Sequence, residues 1–154
     1  MTNDSSQRAT PSAPDALAAW HRLLQVSSRV VKELDRRLDL EHRLSVNEFD
    51  VLINLDNAEP RLRMTDLASA VMLSSGGLTR LVGRLEDRRL VQREPDTGDG
   101  RGSLASLTES GRTLLTEARI THDAVIVDLV GSRLSPPDVR TLTRVLGRVL
   151  APET

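Results

Sequence analysis

Between Leu62 and Gly111 the hydrophobic period changes twice, and that change limits the folds open to this chain. Met64-Thr65-Asp66-Leu67-Ala68 and Leu78-Thr79-Arg80-Leu81-Val82 carry apolar residues at three- and four-residue steps, the spacing of helices that bury one face. Leu90 to Glu94 and Ser103 to Thr108 read as strands instead, and Pro95-Asp96-Thr97-Gly98-Asp99-Gly100 between them supplies the turn residues of a hairpin. Thr65 is expected to cap a brief helix over 66–71, with Met72 and Leu73 making the turn. Ser74 is expected to cap a longer helix reaching about Arg88, with Leu78, Leu81, Val82 and Leu85 buried. The order is short helix, turn, arginine-bearing helix and hairpin.

Long helices flank this unit. Leu17, Trp20, Leu24, Val31, Leu34 and Leu38 predict an amphipathic helix over about 15–40, roughly 39 Å long at 1.5 Å per residue. Ser45 and Glu48 form a capping-box pattern for a second helix, stopped at Ala58-Glu59-Pro60. Thr108 is expected to start a helix over about 108–131, apolar on nearly all sides from Val125 to Val130 and so buried by more than one neighbour. Ser135-Pro136-Pro137-Asp138 opens a last helix over about 135–150, striped by Leu142, Val145, Leu146, Val149 and Leu150. These stripes exceed what the small central unit can cover. Two copies exchanging their first and last helices would hide them and form a two-fold dimer.

The expected fold class is mainly α with a small β-hairpin wing, a winged helix-turn-helix over about 45–110 flanked by dimerisation helices. Residues 1–14, polar and rich in Ser, Thr and Pro, read as a disordered tail before a single domain over 15–154. No apolar run approaches the roughly 18 residues of a membrane span, and a cytoplasmic protein is expected. Cysteine is absent, which excludes disulfides and thiolate metal sites. His21, His42 and His122 form no pair at metal-binding spacing, so neither metal nor cofactor is expected. No serine-nucleophile elbow or phosphate loop occurs, and no enzyme activity is expected.

A helix that enters a DNA groove needs a close approach at its N-terminus and long donors along its exposed face. Ser74, Ser75, Gly76 and Gly77 meet the first need through small side chains, free amides and the helix dipole. Thr79, Arg80 and Arg84 meet the second, the two arginines lying one turn apart. In the hairpin, Asp99 and Arg101 alternate across Gly100, so the carboxylate can aim the guanidinium at a narrow A·T-rich minor groove. Net charge is −1, yet residues 61–101 hold arginines at 61, 63, 80, 84, 88, 89, 93 and 101 against six carboxylates. Sequence-specific DNA binding is the function these residues predict. Near-zero net charge and Gly100 favour the alternative, a winged-helix protein-interaction module without specific DNA binding.

The segments Arg63-Met64-Thr65-Asp66-Leu67-Ala68, Leu73 to Glu86, Asp99-Gly100-Arg101 and Leu107-Thr108-Glu109-Ser110-Gly111 resemble the MarR family of bacterial regulators. The similarity runs from about Asp15 to Leu150. It implies an obligate homodimer on a pseudo-palindromic double-stranded operator, and a repressor released by a small, often phenolic or anionic effector. By the same resemblance Arg101 is the wing arginine and Asp99 the residue that orients it. Gly100 departs from the arginine common there, which implies a more flexible tip and one phosphate contact fewer. Trp20, His21, His42 and Phe49, on the first two helices, are the expected lining of the effector pocket.

Overall fold

A computed structural model of the chain describes residues 11–58, 60–96, 98 and 102–151. The helix α1 spans Ala13–His42. It begins earlier than the sequence suggested, because Ser12 takes the N-cap, its Oγ accepting from the Asp15 amide, and Pro14 fits the first turn, where its missing N–H costs nothing. Of the expected 1–14 tail, residues 1–10 lie outside the described residues. Arg43 ends α1 in the left-handed region (φ 55).

α2, Val46–Asn57, starts on the full capping box: the Ser45 Oγ accepts from the Glu48 amide, and the Glu48 carboxylate accepts from the Ser45 amide at 2.9 Å. β1, Leu62–Arg63, runs directly into α3, Met64–Ala70. The N-cap is therefore Arg63, held extended by pairing with Leu104, and Thr65 lies inside the first turn rather than capping it. Ser74 caps α4, Ser75–Asp87, as expected. β2, Val91–Pro95, and β3, Ser103–Leu107, pair antiparallel from Val91↔Leu107 to Pro95↔Ser103, and β1 adds to the other edge of β3. Thr108 caps α5, Glu109–Leu129. A 3-10 turn at Gly131–Arg133 leads to α6, Pro136–Leu150, opened by a Ser135–Asp138 capping box.

Phe49, Leu52 and Leu55 of α2, Leu67 of α3, Leu78, Val82 and Leu85 of α4 and Leu115 of α5 form one core, joined by Leu34 and Leu38 of α1. Burying side chains of this size stabilises by about 1.5–3 kcal/mol each. The first half of α1 and all of α6 contribute nothing to that core. Trp20 is 53% exposed, and no residue of α6 is buried within the protomer. At the end of α5, Val125 is buried but Val127 is 61% exposed, so the expected burial by several neighbours is incomplete in one chain.

Candidate nucleic-acid interface

The turn between α3 and α4 is made by Val71, Met72 and Leu73, with Met72 at φ 52 and its side chain 91% exposed. It delivers α4 with its N-terminus at the surface. The Ser74 Oγ accepts from the Gly77 amide at 3.2 Å, and the Leu78 amide bonds the Ser74 carbonyl. The amides of Ser75 and Gly76 precede the helical hydrogen-bond ladder and stay available to an outside acceptor, where the helix dipole favours an anion. A Cβ added at Gly76 would meet no atom within 4 Å, whereas one at Gly77 would meet Ser74 Oγ at 3.1 Å.

α4 buries one side and exposes the other. Leu78, Leu81, Val82 and Leu85 face the core, while Ser75, Gly76, Thr79, Arg80 and Arg84 are exposed. Thr79 donates its hydroxyl back to the Ser75 carbonyl at 2.8 Å. Arg80 makes no ion pair among the described residues. Arg84, 58% exposed, is tied sideways: its Nε donates to Glu48 Oε1 at 3.3 Å. Arg88, at the C-cap, donates to the carbonyls of Arg43 at 2.7 Å and His42 at 3.3 Å, gripping the C-terminus of α1. The arginines of α4 and its C-cap thus divide into Arg80, without an ion pair among the described residues, and Arg84 and Arg88, which dock the helix on α2 and α1.

The hairpin stands beside α4 on a built base. Arg63 pairs with the nearly buried Asp96 at 3.0 Å, and Arg61 pairs with Glu94 at 2.6 Å. Asp96 Oδ1 also accepts from the Gly98 amide at 3.0 Å, and its own amide bonds the Gly102 carbonyl at 3.0 Å, closing the loop stem. Arg93 pairs with Glu86 of α4. Asp99, Gly100 and Arg101 lie outside the described residues.

Sequence reasoning missed Asp96, Arg63, Glu48 as a partner of Arg84, and Arg88. Only Asp96 left a signal, as the Asx residue of a Pro-Asp-Thr-Gly turn.

The expected effector pocket does not assemble within one protomer. His21 and His42 stand at opposite parts of the same helix, roughly 32 Å apart along its axis. Trp20 and His21 are exposed, and Phe49 is a core residue, 1% exposed, with its ring stacked on His122 at 4.9 Å. His42 instead belongs to a bridge between α1 and α5. The Thr121 hydroxyl donates to Glu41 Oε2 at 2.7 Å, so its oxygen accepts from His42 Nε2 at 2.8 Å. That bond and the neighbouring Arg37 guanidinium hold the Glu41 carboxyl below its ordinary value.

The family model that matches this chain, over residues 43–102, is that of the MarR family. The chain is 30% identical over 131 residues to the HTH-type transcriptional regulator MhqR of Bacillus subtilis, covering 83% of this chain and 89% of that protein. Among solved structures it resembles AbsC, a MarR family transcriptional regulator from Streptomyces coelicolor (TM-score 0.80, 30% identity, 92% of this chain and 95% of that one). It also resembles Sco3205, a MarR family regulator from the same organism solved in complex with DNA (TM-score 0.80, 26% identity, 96% and 94% covered).

Proposed function

The chain belongs to the MarR family of transcriptional regulators, and from that premise we propose that it is a cytoplasmic, non-enzymatic homodimer that binds a pseudo-palindromic operator and represses until a small effector releases it. The observation that carries the DNA reading is the end of α4: an exposed N-terminus with small residues, amides free of the helical ladder, and Arg80 unpaired among the described residues beside it. Ser74, Ser75, Gly76 and Gly77 approach the backbone of the major groove. Thr79 and Arg80 reach into that groove, Arg84 stays on Glu48 and holds the helix that presents them, and Asp99 with Arg101 serves the minor groove. Sco3205, with a DNA complex in hand and the same fold, supports this placement.

Exposed Leu17, Trp20 and Leu24 on α1 and Leu142, Val149 and Leu150 on α6 supply the apolar surface that a second copy covers. Such a dimer presents two α4 helices to half-sites about one DNA turn, roughly 34 Å, apart.

Fluorescence-anisotropy titration against DNA from the chain's own upstream region, with random DNA as control, tests the proposal. The expected result is a preference on the order of a thousandfold or more, with Arg80→Ala and Arg101→Ala each losing about 1–3 kcal/mol. A folded dimer that binds operator-region and random DNA equally weakly, whatever the salt, overturns it in favour of a protein-docking module.

A further inference from the structure

Asp96 is only 8% exposed, although it stands where the chain leaves β2 for the wing tip. Both oxygens of its carboxylate are committed. Oδ2 pairs with the Arg63 guanidinium at 3.0 Å, and Oδ1 accepts from the Gly98 amide at 3.0 Å, the bond of an Asx turn. Its own amide donates to the Gly102 carbonyl at 3.0 Å, directly beyond the last ladder pair, Pro95↔Ser103. One residue thereby fixes the base on which residues 97–101 are mounted.

The other half of the ion pair belongs to a different element. Arg63 is the N-cap of α3, held extended by pairing with Leu104, and α3 packs through Leu67 into the core that also holds Leu78 of α4. The Arg63–Asp96 pair therefore joins the wing base to the helices that present α4. Its neighbour Arg61–Glu94 has both partners about half exposed, where an ion pair contributes little. Arg63 is itself about half exposed, so without Asp96 it becomes a free cation between the two groove-facing elements. We propose that Asp96 and Arg63 are positioning residues that determine specificity: they read no base, hold the wing at a fixed offset from α4, and keep the Arg63 charge off the DNA backbone. This rests on the DNA-binding reading above. A fixed offset keeps Arg101 in register with the half-site that α4 reads, and a guanidinium spent on Asp96 adds nothing to the phosphate binding that ignores sequence.

The test uses the full-length protein and three DNAs: the upstream-region fragment it prefers, the same fragment with the A·T pairs flanking its half-sites changed to G·C, and random DNA. Asp96→Asn keeps an oxygen for the Gly98 amide but frees Arg63. It is expected to lower the preference for the fragment over random DNA about tenfold and to erase the difference between the two flanks. It should also bind random DNA more tightly, with a salt slope steeper by about 2, since one further phosphate per protomer releases about 0.9 counterions. Arg63→Gln should lose the flank difference without that tightening. The double variant should bind the fragment no worse than the weaker single variant. Arg61→Gln should keep the preference within about twofold. Independently of any DNA, hydrogen exchange at the Asp96 and Gly98 amides should quicken about fivefold in Arg63→Gln.

Retention of the flank difference by Asp96→Asn overturns the proposal, and so does an unchanged salt slope in that variant. Additive losses in the double variant overturn it too, because the two residues then act separately. Unchanged amide exchange in Arg63→Gln would show that the ion pair does not hold the wing base. If exchange quickens but the unaltered protein prefers no fragment, the DNA-binding reading has failed, and the pair serves the fold alone.

Discussion

Replacing Gly76 by alanine separates what the fold requires of the α4 N-terminus from what DNA requires. Within the protein a Cβ at this position meets nothing within 4 Å, and Gly76 has no positive φ, so the fold gives no reason for glycine. Alanine in a helix is favoured over glycine by about 0.5–1 kcal/mol, chiefly through the unfolded chain, so the variant should be slightly more stable in urea denaturation. If instead the backbone here lies against a phosphate, the added methyl pushes it away from the free amides of Ser75 and Gly76. A hydrogen bond to a charged acceptor contributes about 1.5–3 kcal/mol, and both halves of a dimer carry the change. The expected loss is then about 3–6 kcal/mol, or at least about a hundredfold in anisotropy titrations against the operator. Gly77→Ala would not be as clean, since its Cβ crowds the Ser74 Oγ that caps the helix. A Gly76→Ala protein that gains stability and binds the operator within threefold of the original would refute a close approach of DNA at this helix end.

Gly111→Ala should behave in the opposite way: its Cβ would sit 2.1 Å from the Leu90 carbonyl oxygen, a backbone atom, so α5 must move off the start of β2 and strain the Thr108–Leu90 hydrogen bond. A destabilisation of about 1–3 kcal/mol in the same urea assay is expected, and a neutral result would show that this joint is loose. Glu41→Gln should destabilise with a defined pH dependence. Its carboxyl lies below the ordinary 4.5 in the folded chain, chiefly through the Thr121 hydroxyl and then Arg37, so its contribution is complete at neutral pH. That contribution is lost as pH falls through the lowered native value, and the stability curves of the two proteins should converge there; a gap that stays constant into strong acid would assign the effect to packing.

The parts of this structure that were legible in the sequence are those decided within four residues. Ser45 with Glu48, Ser135 with Asp138, Ser74 and Thr108 all cap the helices that follow them, because each cap joins side chain and amide across a single turn. Thr65 was misread because a long-range event outranked it: β1 pairs with β3 and fixes Arg63 in the extended form, so the helix starts at Met64. The side chains that dock α4 were illegible for the same reason. Glu48 and Arg84 are 36 residues apart, and Arg88 reaches carbonyls 45 and 46 residues away. Within one protomer Trp20 and His21 do not meet His42 and Phe49, because α1 is one continuous helix whose rise carries its two ends apart whatever their chemistry.

The same long-range pairing explains how a chain of net charge −1 can address a polyanion. In residues 61–101, Arg61, Arg63, Arg84 and Arg93 face Glu94, Asp96, Glu48 and Glu86, and Arg88 is spent on the α1 carbonyls. The carboxylates that cancel the total charge are therefore committed to holding the hairpin and α4 in place. Arg80 remains without an ion pair among the described residues, and Arg101 joins it in the proposed interface. Two cations per protomer make four per dimer, and at about 0.9 counterions per neutralised phosphate the logarithm of the operator binding constant should fall with the logarithm of salt at a slope of about −4. If all eight arginines met phosphates, the slope would be about −14. Titrations at several salt concentrations separate the two, and a slope near the steeper value would mean that the pairs with Glu94, Asp96, Glu48 and Glu86 open when DNA binds, so that they are not the scaffold of the interface.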